Sequence, residues 1–466
     1  MIRVKITSLI LGTFGVGIIS QLNNLNSLSV FIGTVGIPLG ITKIISELES
    51  ENKWEDIRKI FLQLLLLLLL FSASIFVPIY LFSDRISQEI LGSTEYSHFV
   101  SISLLGIPFL LCISIFDSFL RGLKKFKDYV KISIWLSILS VIITTVCIIY
   151  FNLYGAVYSI LISSIVSFLF YLVFLIKKKV ISLSDLYLIR LPISPYFKVI
   201  FIIGLASLFV GLIEQFTTLV IRSIIIKDFG IDANGIYQSV YAISNNYFNI
   251  LYMSIGIYLL PTLSGMKDRV VVNTEINKIL KLTIVTLVPL TSITFVFREW
   301  IIVLLYNNAF LPGESLMMLN LIGDFFKALS WILGAWMIPA GKVKIWLILA
   351  ILNPILNFTI FLIGINFTEL GIKSVVLSYA VASIVHFILV LYYSRKIQEF
   401  IFMSKNLKNI VFASLLIFIV FLIDFESNYL AMIILPILLF LWFKYSMTRS
   451  DLQQLFQIFK SKIKTS

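Results

Sequence analysis

Six charged residues stand inside long apolar stretches of this 466-residue sequence: Lys43, Asp117, Glu214, Arg222, Asp324 and Lys327. A charge at the middle of a bilayer costs about 2.5–3.5 kcal/mol on insertion scales, so each needs a partner, an escape to the interface or a use. Lys43 has Glu47 four residues on, and Asp117 has Arg121, so each can pair along its own helix. Those two and Arg222 lie near the ends of their stretches, where a long side chain can reach the headgroups. Asp324 and Lys327 stand near the middle of theirs, one helical turn apart. Glu214 is enclosed in its own stretch with no basic residue one turn away, among Gln215, Thr217 and Thr218. A lysine or arginine facing a cavity can hold an anion such as a pyrophosphate. A carboxylate there can take a proton or Na⁺ as the cavity changes side. Lys327, Arg222 and Lys43 are therefore anion-binding candidates, and Asp324, Glu214 and Asp117 are ion-coupling candidates. The structural alternative is that Asp324 and Lys327 neutralise each other and fix helix packing, and both readings stand at this level.

Two runs of amides extend the set: Gln21, Asn23, Asn24, Asn26 and Ser27, and later Gln238, Ser244, Asn245, Asn246 and Asn249. Such groups are expensive against lipid, so they should face another helix or a cavity, where Asn24, Gln238 and Asn245 could bind a hydroxyl-rich ligand. The loop carrying Arg121, Lys124, Lys125 and Lys127 could gather anionic headgroups at a cytoplasmic mouth, or could serve only to fix topology. Cys112 and Cys147 sit in apolar stretches with no metal or disulfide spacing, and His98 and His386 are isolated. No Walker A, GxGxxG, HExxH or CxxC pattern occurs, which leaves nucleotide hydrolysis and metal catalysis without support. No cofactor is expected beyond coupling to a H⁺ or Na⁺ gradient.

The elements that must position these residues are membrane helices. Hydrophobic residues make up 59% of the chain and charged residues 13%, against roughly 25% charged in soluble domains. Thirteen apolar segments lie near 15–46, 58–82, 98–120, 129–150, 154–176, 197–222, 236–262, 277–298, 313–340, 344–364, 370–393, 408–423 and 428–443. Continuous runs of this length are transmembrane helices, not the alternating strands of a barrel. Alternate connections carry 28 Lys and Arg, and the intervening ones only Arg85, Arg222, Lys227, Arg298 and Lys373. By the positive-inside rule the C-terminus is cytoplasmic. The net charge of +13 is thus a topology signal and does not point to nucleic acid. After the last segment, Leu452, Leu455, Phe456, Phe459 and Ile463 fall at helical spacing among lysines, as in an amphipathic surface helix.

The chain also repeats itself. Gly15-Val16, Asn26 and Gly36-Ile37 match Gly235-Ile236, Asn246 and Gly256-Ile257 at an offset of 220; Gly122 and Lys125 match Gly341 and Lys344 at 219; and Tyr154-Gly155-Ala156 lines up with Leu370-Gly371-Ile372 at 216. An even number of helices per repeat makes the halves parallel. The expected organisation is an N-lobe over 1–176, a cytoplasmic linker over 177–197, a C-lobe over 198–393, two additional short helices over 394–443, and a cytoplasmic amphipathic tail over 444–466. The segment 197–222 has no spanning counterpart in the first half. This predicts either a shortened first lobe or a further helix upstream of Met1.

Four stretches carry a family resemblance: Arg121-Gly-Leu-Lys-Lys-Phe-Lys-Asp-Tyr129, Gly235-Ile-Tyr-Gln-Ser239, Tyr258-Leu-Leu-Pro261 and Leu321-Ile-Gly-Asp-Phe-Phe-Lys327. In order along residues 10–395 they resemble the Wzx-type polysaccharide flippases, in the polysaccharide transporter family of the multidrug/oligosaccharidyl-lipid/polysaccharide (MOP) exporter superfamily. The resemblance implies an all-α polytopic membrane protein of the inner or plasma membrane, with two parallel helical lobes forming a V around a cavity open to alternate sides. It implies an undecaprenyl-pyrophosphate-linked oligosaccharide as cargo, moved to the outer leaflet, with membrane lipids as its surroundings. Polysaccharide polymerase and chain-length proteins would be partners. The chain departs from the pattern in lacking the first family helix and in adding two short helices at its end. A multidrug or cation antiporter of the same superfamily is the alternative, though a cationic cargo would favour a net acidic cavity. A membrane glycan polymerase is disfavoured, because the largest outer connection is about fifteen residues and enzymes of that kind carry their chemistry on larger loops.

Overall fold

A computed structural model describes residues 2–178, 180, 185, 187–188, 192–266, 268–426 and 428–446. Each of the thirteen apolar segments is largely helical, with 15–46 broken into two helices at 35–36 and 98–120 into two at 105–106. The tail residues from Leu452 to Ile463 lie outside the described residues, as does much of the linker. Among the described residues, eight helices are long and apolar enough to cross a membrane, or nine when one bent pair is counted as a single span. Contacts divide the chain into two units, Met1–Ser239 with Leu304–Leu311, and Val240–Val303 with Pro312–Ser466.

The first unit contains α1 (Ile2–Thr34), α2 (Ile37–Ser50), α3 (Trp54–Leu81), α4 (Ser83–Leu91), α5 (Ser97–Leu104), α6 (Ile107–Gly122), α7 (Phe126–Lys177) and α8 (Tyr196–Phe229), and the start of α9 (Ile231–Ser264). Backbone breaks fall where the sequence punctuates. Gly36 takes a left-handed φ and Pro38 opens α2, while Pro108 opens α6 after a 41° bend from α5. Asn152, at φ 49°, breaks α7 into two halves that match the segments 129–150 and 154–176. The outward face of the first half carries Val130, Ile134, Ile138 and Ile142, an apolar surface suited to lipid. Inside, the unit buries a dense aromatic core: Phe61 lies 4.4 Å from Phe119, and Phe116 stacks on Tyr171 at 5.3 Å.

One boundary differs from the sequence expectation. The division falls inside α9 and not at the basic linker, so α8 packs with the first unit. Its glycines explain why. Gly204 meets the backbone at Gly36, and Gly40 lies against the carbonyl of Ile200, so closely that a Cβ at either α2 glycine would collide. Small residues spaced four apart let two helix backbones touch where apolar lipid gives no other drive for association.

A second finding concerns the chain start. Gly12, at φ 63°, separates residues 2–11 from the rest of α1, and Gly230, at φ 90°, ends α8. The two glycines stand at the repeat spacing, so 2–11 occupies the repeat position of the last turns of α8. Beyond the breaks the two following helices meet reciprocally: Gly17 lies against the carbonyl of Ile231, Gly235 lies against that of Thr13, and Asn234 Nδ2 donates to Gly17 O at 2.9 Å.

The second unit contains the remainder of α9, followed by α10 (Arg269–Val296), most of α11 (Arg298–Leu305), α12 (Glu314–Gly334), α13 (Val343–Phe367), α14 (Lys373–Gln398), α15 (Ser404–Glu426) and α16 (Asn428–Ser446). α12 packs along α14, and α13 lies outside them with most of its surface exposed. The two additional helices are fastened to α10 by polar contacts. Asn406 Nδ2 donates to Asn277 O at 2.7 Å, and Trp442 Nε1 donates to Val285 O at 3.3 Å.

Candidate functional site

The first unit carries an open cavity of about 640 Å³. Three helices supply its walls, each through one 3.6-period face. α1 presents Asn23, Asn26, Ser27 and Val30; α6 presents Leu110, Ile113, Ser114, Asp117 and Arg121; and the second half of α7 presents Ile160, Ser163, Ser164 and Ser167. Arg3 and Ser140 complete the lining, with Arg3 Nη1 donating to Ser140 Oγ at 3.3 Å. The cavity is rich in hydroxyls and amides inside an apolar unit. It holds two arginines and one aspartate, a net positive set. Asp117 accepts a hydrogen bond from Tyr171, whose ring is fixed against Phe116. Arg121 donates to Ser118 Oγ at 3.2 Å and lies 5.7 Å from the centre of the Tyr129 ring. Asn26 is only 4% exposed, and neither atom of its amide has a protein partner among the described residues.

The second unit builds a different polar centre. Asp324, 4% exposed on α12, accepts hydrogen bonds from Ser244 of α9 and, at 2.8 Å, from the Tyr379 hydroxyl of α14; the Asn320 amide lies 3.5 Å from its Oδ2. Gly323 makes this possible, since a Cβ there would meet the Tyr379 ring. Lys327, one turn along, sets its ammonium 5.8 Å from the centre of the same ring. His386, two turns beyond Tyr379 on α14, has its Nδ1 buried without a hydrogen-bond partner among the described residues. The pair Asp324 and Lys327 thus shares Tyr379 as a common neighbour.

A family model for "Polysaccharide biosynthesis protein" matches residues 1–267, more than half of the chain. The chain belongs to that family. The lipid III flippase of Escherichia coli (strain K12) is 24% identical over 378 residues, covering 77% of this chain and 84% of that protein. An inward-facing multidrug resistance MATE family transporter of the MOP superfamily superposes with a TM-score of 0.76 at 16% identity, covering 85% of this chain and 93% of that one. A MOP superfamily transporter from Pyrococcus furiosus, described as having a binding pocket of reversed polarity, superposes with a TM-score of 0.61 at 16% identity, covering 85% of this chain and 96% of that one. The chain is therefore a multi-pass membrane protein with the helical fold of the MOP transporters, as the ordered motifs implied.

Within this family member the remaining candidates separate. Arg222 is enclosed, at 1% exposed, with its guanidinium 3.3 Å from Ser20 Oγ and 5.1 Å from the centre of the Tyr237 ring. Lys43 is exposed and pairs with Glu47 at 3.8 Å, as the i,i+4 spacing predicts. Glu214 corrects the sequence reading: its side chain is exposed on α8 and not enclosed. The first amide run splits between two faces. Asn23, Asn26 and Ser27 line the cavity, whereas Gln21 turns to α8 and lies 3.0 Å from Ser223 Oγ, with Asn24 3.5 Å from Gln21. Gln238 is partly buried, and the side chain of Asn245 lies outside the described residues. Of the basic loop, Arg121 reaches the cavity. Lys124 pairs with Glu49 at 3.0 Å, Lys125 precedes α7, and Lys127 is exposed in its first turn. Sequence reasoning passed over Arg3 and the α7 serines. The spacing of Ser163, Ser164 and Ser167 was the available signal for the latter; Arg3 had none, since its place depends on the break at Gly12.

Proposed function

We propose that this protein is a flippase that moves a lipid-linked oligosaccharide from the cytoplasmic to the outer leaflet by alternating access. The observation that carries the reading is the cavity of about 640 Å³ in the first unit, which combines two arginines with hydroxyls and amides. A pyrophosphate needs cationic donors once it leaves water, and a glycan needs a high density of hydrogen-bonding groups. The relative named lipid III flippase and the polysaccharide biosynthesis family support the same class of cargo. The alternative of a cation antiporter loses ground, because a net positive cavity repels a cationic cargo. We further propose that Asp324 couples transport to a H⁺ or Na⁺ gradient, since it is the enclosed carboxylate with three polar neighbours on three helix positions. Polysaccharide polymerase and chain-length proteins would receive the product at the outer face.

The test is complementation of a flippase-null strain, reading surface glycan. Wild type should restore it. Arg121→Ala, Lys327→Ala and Asp324→Asn should each reduce it at unchanged membrane abundance. Wild-type failure to restore any lipid-linked glycan would remove the flippase reading, and full activity of Asp324→Asn would remove the coupling role.

A further inference from the structure

We infer that the first-unit cavity is divided into two subsites, with Asn26 binding the sugar attached to the phosphate while Arg3 and Arg121 hold the phosphate itself. The inference rests on the flippase reading above and names how its site discriminates. Asn26 is 4% exposed, borders the cavity, and presents a donor and an acceptor that no protein group engages among the described residues. A buried amide left in that state is costly, and folds normally satisfy such groups. An amide that serves only as interhelical glue bonds its neighbour, as Gln21, five residues earlier on the same helix, does with Ser223. Ser163, which also lines the cavity, has its Oγ buried without a hydrogen-bond partner among the described residues. The two groups come from α1 and α7 and border the same space. A pyranose offers matching chemistry: adjacent hydroxyls, or an acetamido group beside a hydroxyl, each present a donor and an acceptor together. The charges sit elsewhere on the wall. Arg3 is tethered to Ser140 and Arg121 lies at the end of α6, one turn past Asp117.

The experiment uses the full-length chain in nanodiscs. Four probes are titrated: a short-chain polyprenyl pyrophosphate carrying one hexose, the same lipid carrying one N-acetylhexosamine, the bare pyrophosphate lipid, and inorganic pyrophosphate. Wild type should bind at least one glycosylated probe more tightly than the bare lipid. Asn26→Leu should abolish that preference, with a loss of about tenfold on the glycosylated probe and none on the bare lipid, as expected when a site built to bond a hydroxyl or amide loses its partner. Arg121→Ala should weaken glycosylated and bare lipids alike. Thermal unfolding separates a binding role from a structural one: Asn26→Leu should leave the midpoint unchanged or raise it, because an unengaged amide is removed. Ser163→Ala gives an independent arm, with a smaller loss confined to the glycosylated probe. A lowered midpoint for Asn26→Leu, or equal affinities of wild type and Asn26→Leu for every glycosylated probe, overturns the sugar subsite while leaving the flippase reading in place. Failure of wild type to bind any of the lipid probes overturns both.

Discussion

The two units bury polar groups in opposite ways. In the second, Asp324 is a closed centre: Ser244, Tyr379 and Asn320 surround one carboxylate, and Lys327 stacks on the ring that reaches it. In the first, the polar wall is open. Asn26 and Ser163 border a cavity of about 640 Å³, with buried polar atoms that have no hydrogen-bond partner among the described residues. A satisfied network can hold helices in register and change state only when a proton or cation replaces one of its bonds. An unsatisfied wall has affinity to spare for a ligand. In the proposed function, cargo falls to the first unit and coupling to the second.

Substitutions can break or sharpen that contrast. The largest effect is expected from Asp324→Ala, which strands three donors in the closed centre. At about 1–3 kcal/mol for each buried group left unsatisfied, the second unit should lose at least about 3 kcal/mol, together with transport. A thermal midpoint equal to wild type would mean the centre is not closed. Gly323→Val comes next, since its side chain would push Tyr379 off Asp324. Overpacking of this kind costs about 1–3 kcal/mol, read as a lower midpoint with a parallel fall in transport. Asn26→Leu should have the opposite sign in the first unit, a gain of about 1 kcal/mol with reduced transport. If it destabilises, the two units are alike and the contrast fails. The smallest effect belongs to an exposed pair, Lys227 and Glu89 at 2.6 Å. The hydrogen bond from Lys227 holds the Glu89 carboxyl below its ordinary value. Any stability it contributes is present above the unfolded-state value and lost as pH falls through the lower folded-state value. Unfolding of Glu89→Gln and wild type across that range should therefore differ most at neutral pH, and the difference should vanish in high salt.

The helices were legible from hydropathy, since a bilayer demands long apolar runs whatever the tertiary arrangement. The pairing of Lys43 with Glu47 was legible too, because i,i+4 geometry is local. Asp324 and Lys327 could be singled out as costly charges, but their partners could not: Tyr379 and Ser244 come from helices 55 and 80 residues away. The exposure of Glu214 was hidden for the same reason, as burial of a residue in a membrane helix depends on which face meets a neighbour.

By itself, then, the sequence determined a polytopic helical protein, its repeated halves and the short list of membrane-embedded charges, all consequences of local composition and spacing. The tertiary structure decided which of those charges share a site. It turned one face of α1 toward a cavity and another toward α8, bent the chain at Gly12 to bring Arg3 beside Ser140, and left the Asn26 amide without a partner among the described residues. Those outcomes follow from backbones meeting at Gly36, Gly40 and Gly204, contacts between residues far apart in the chain that no local pattern encodes.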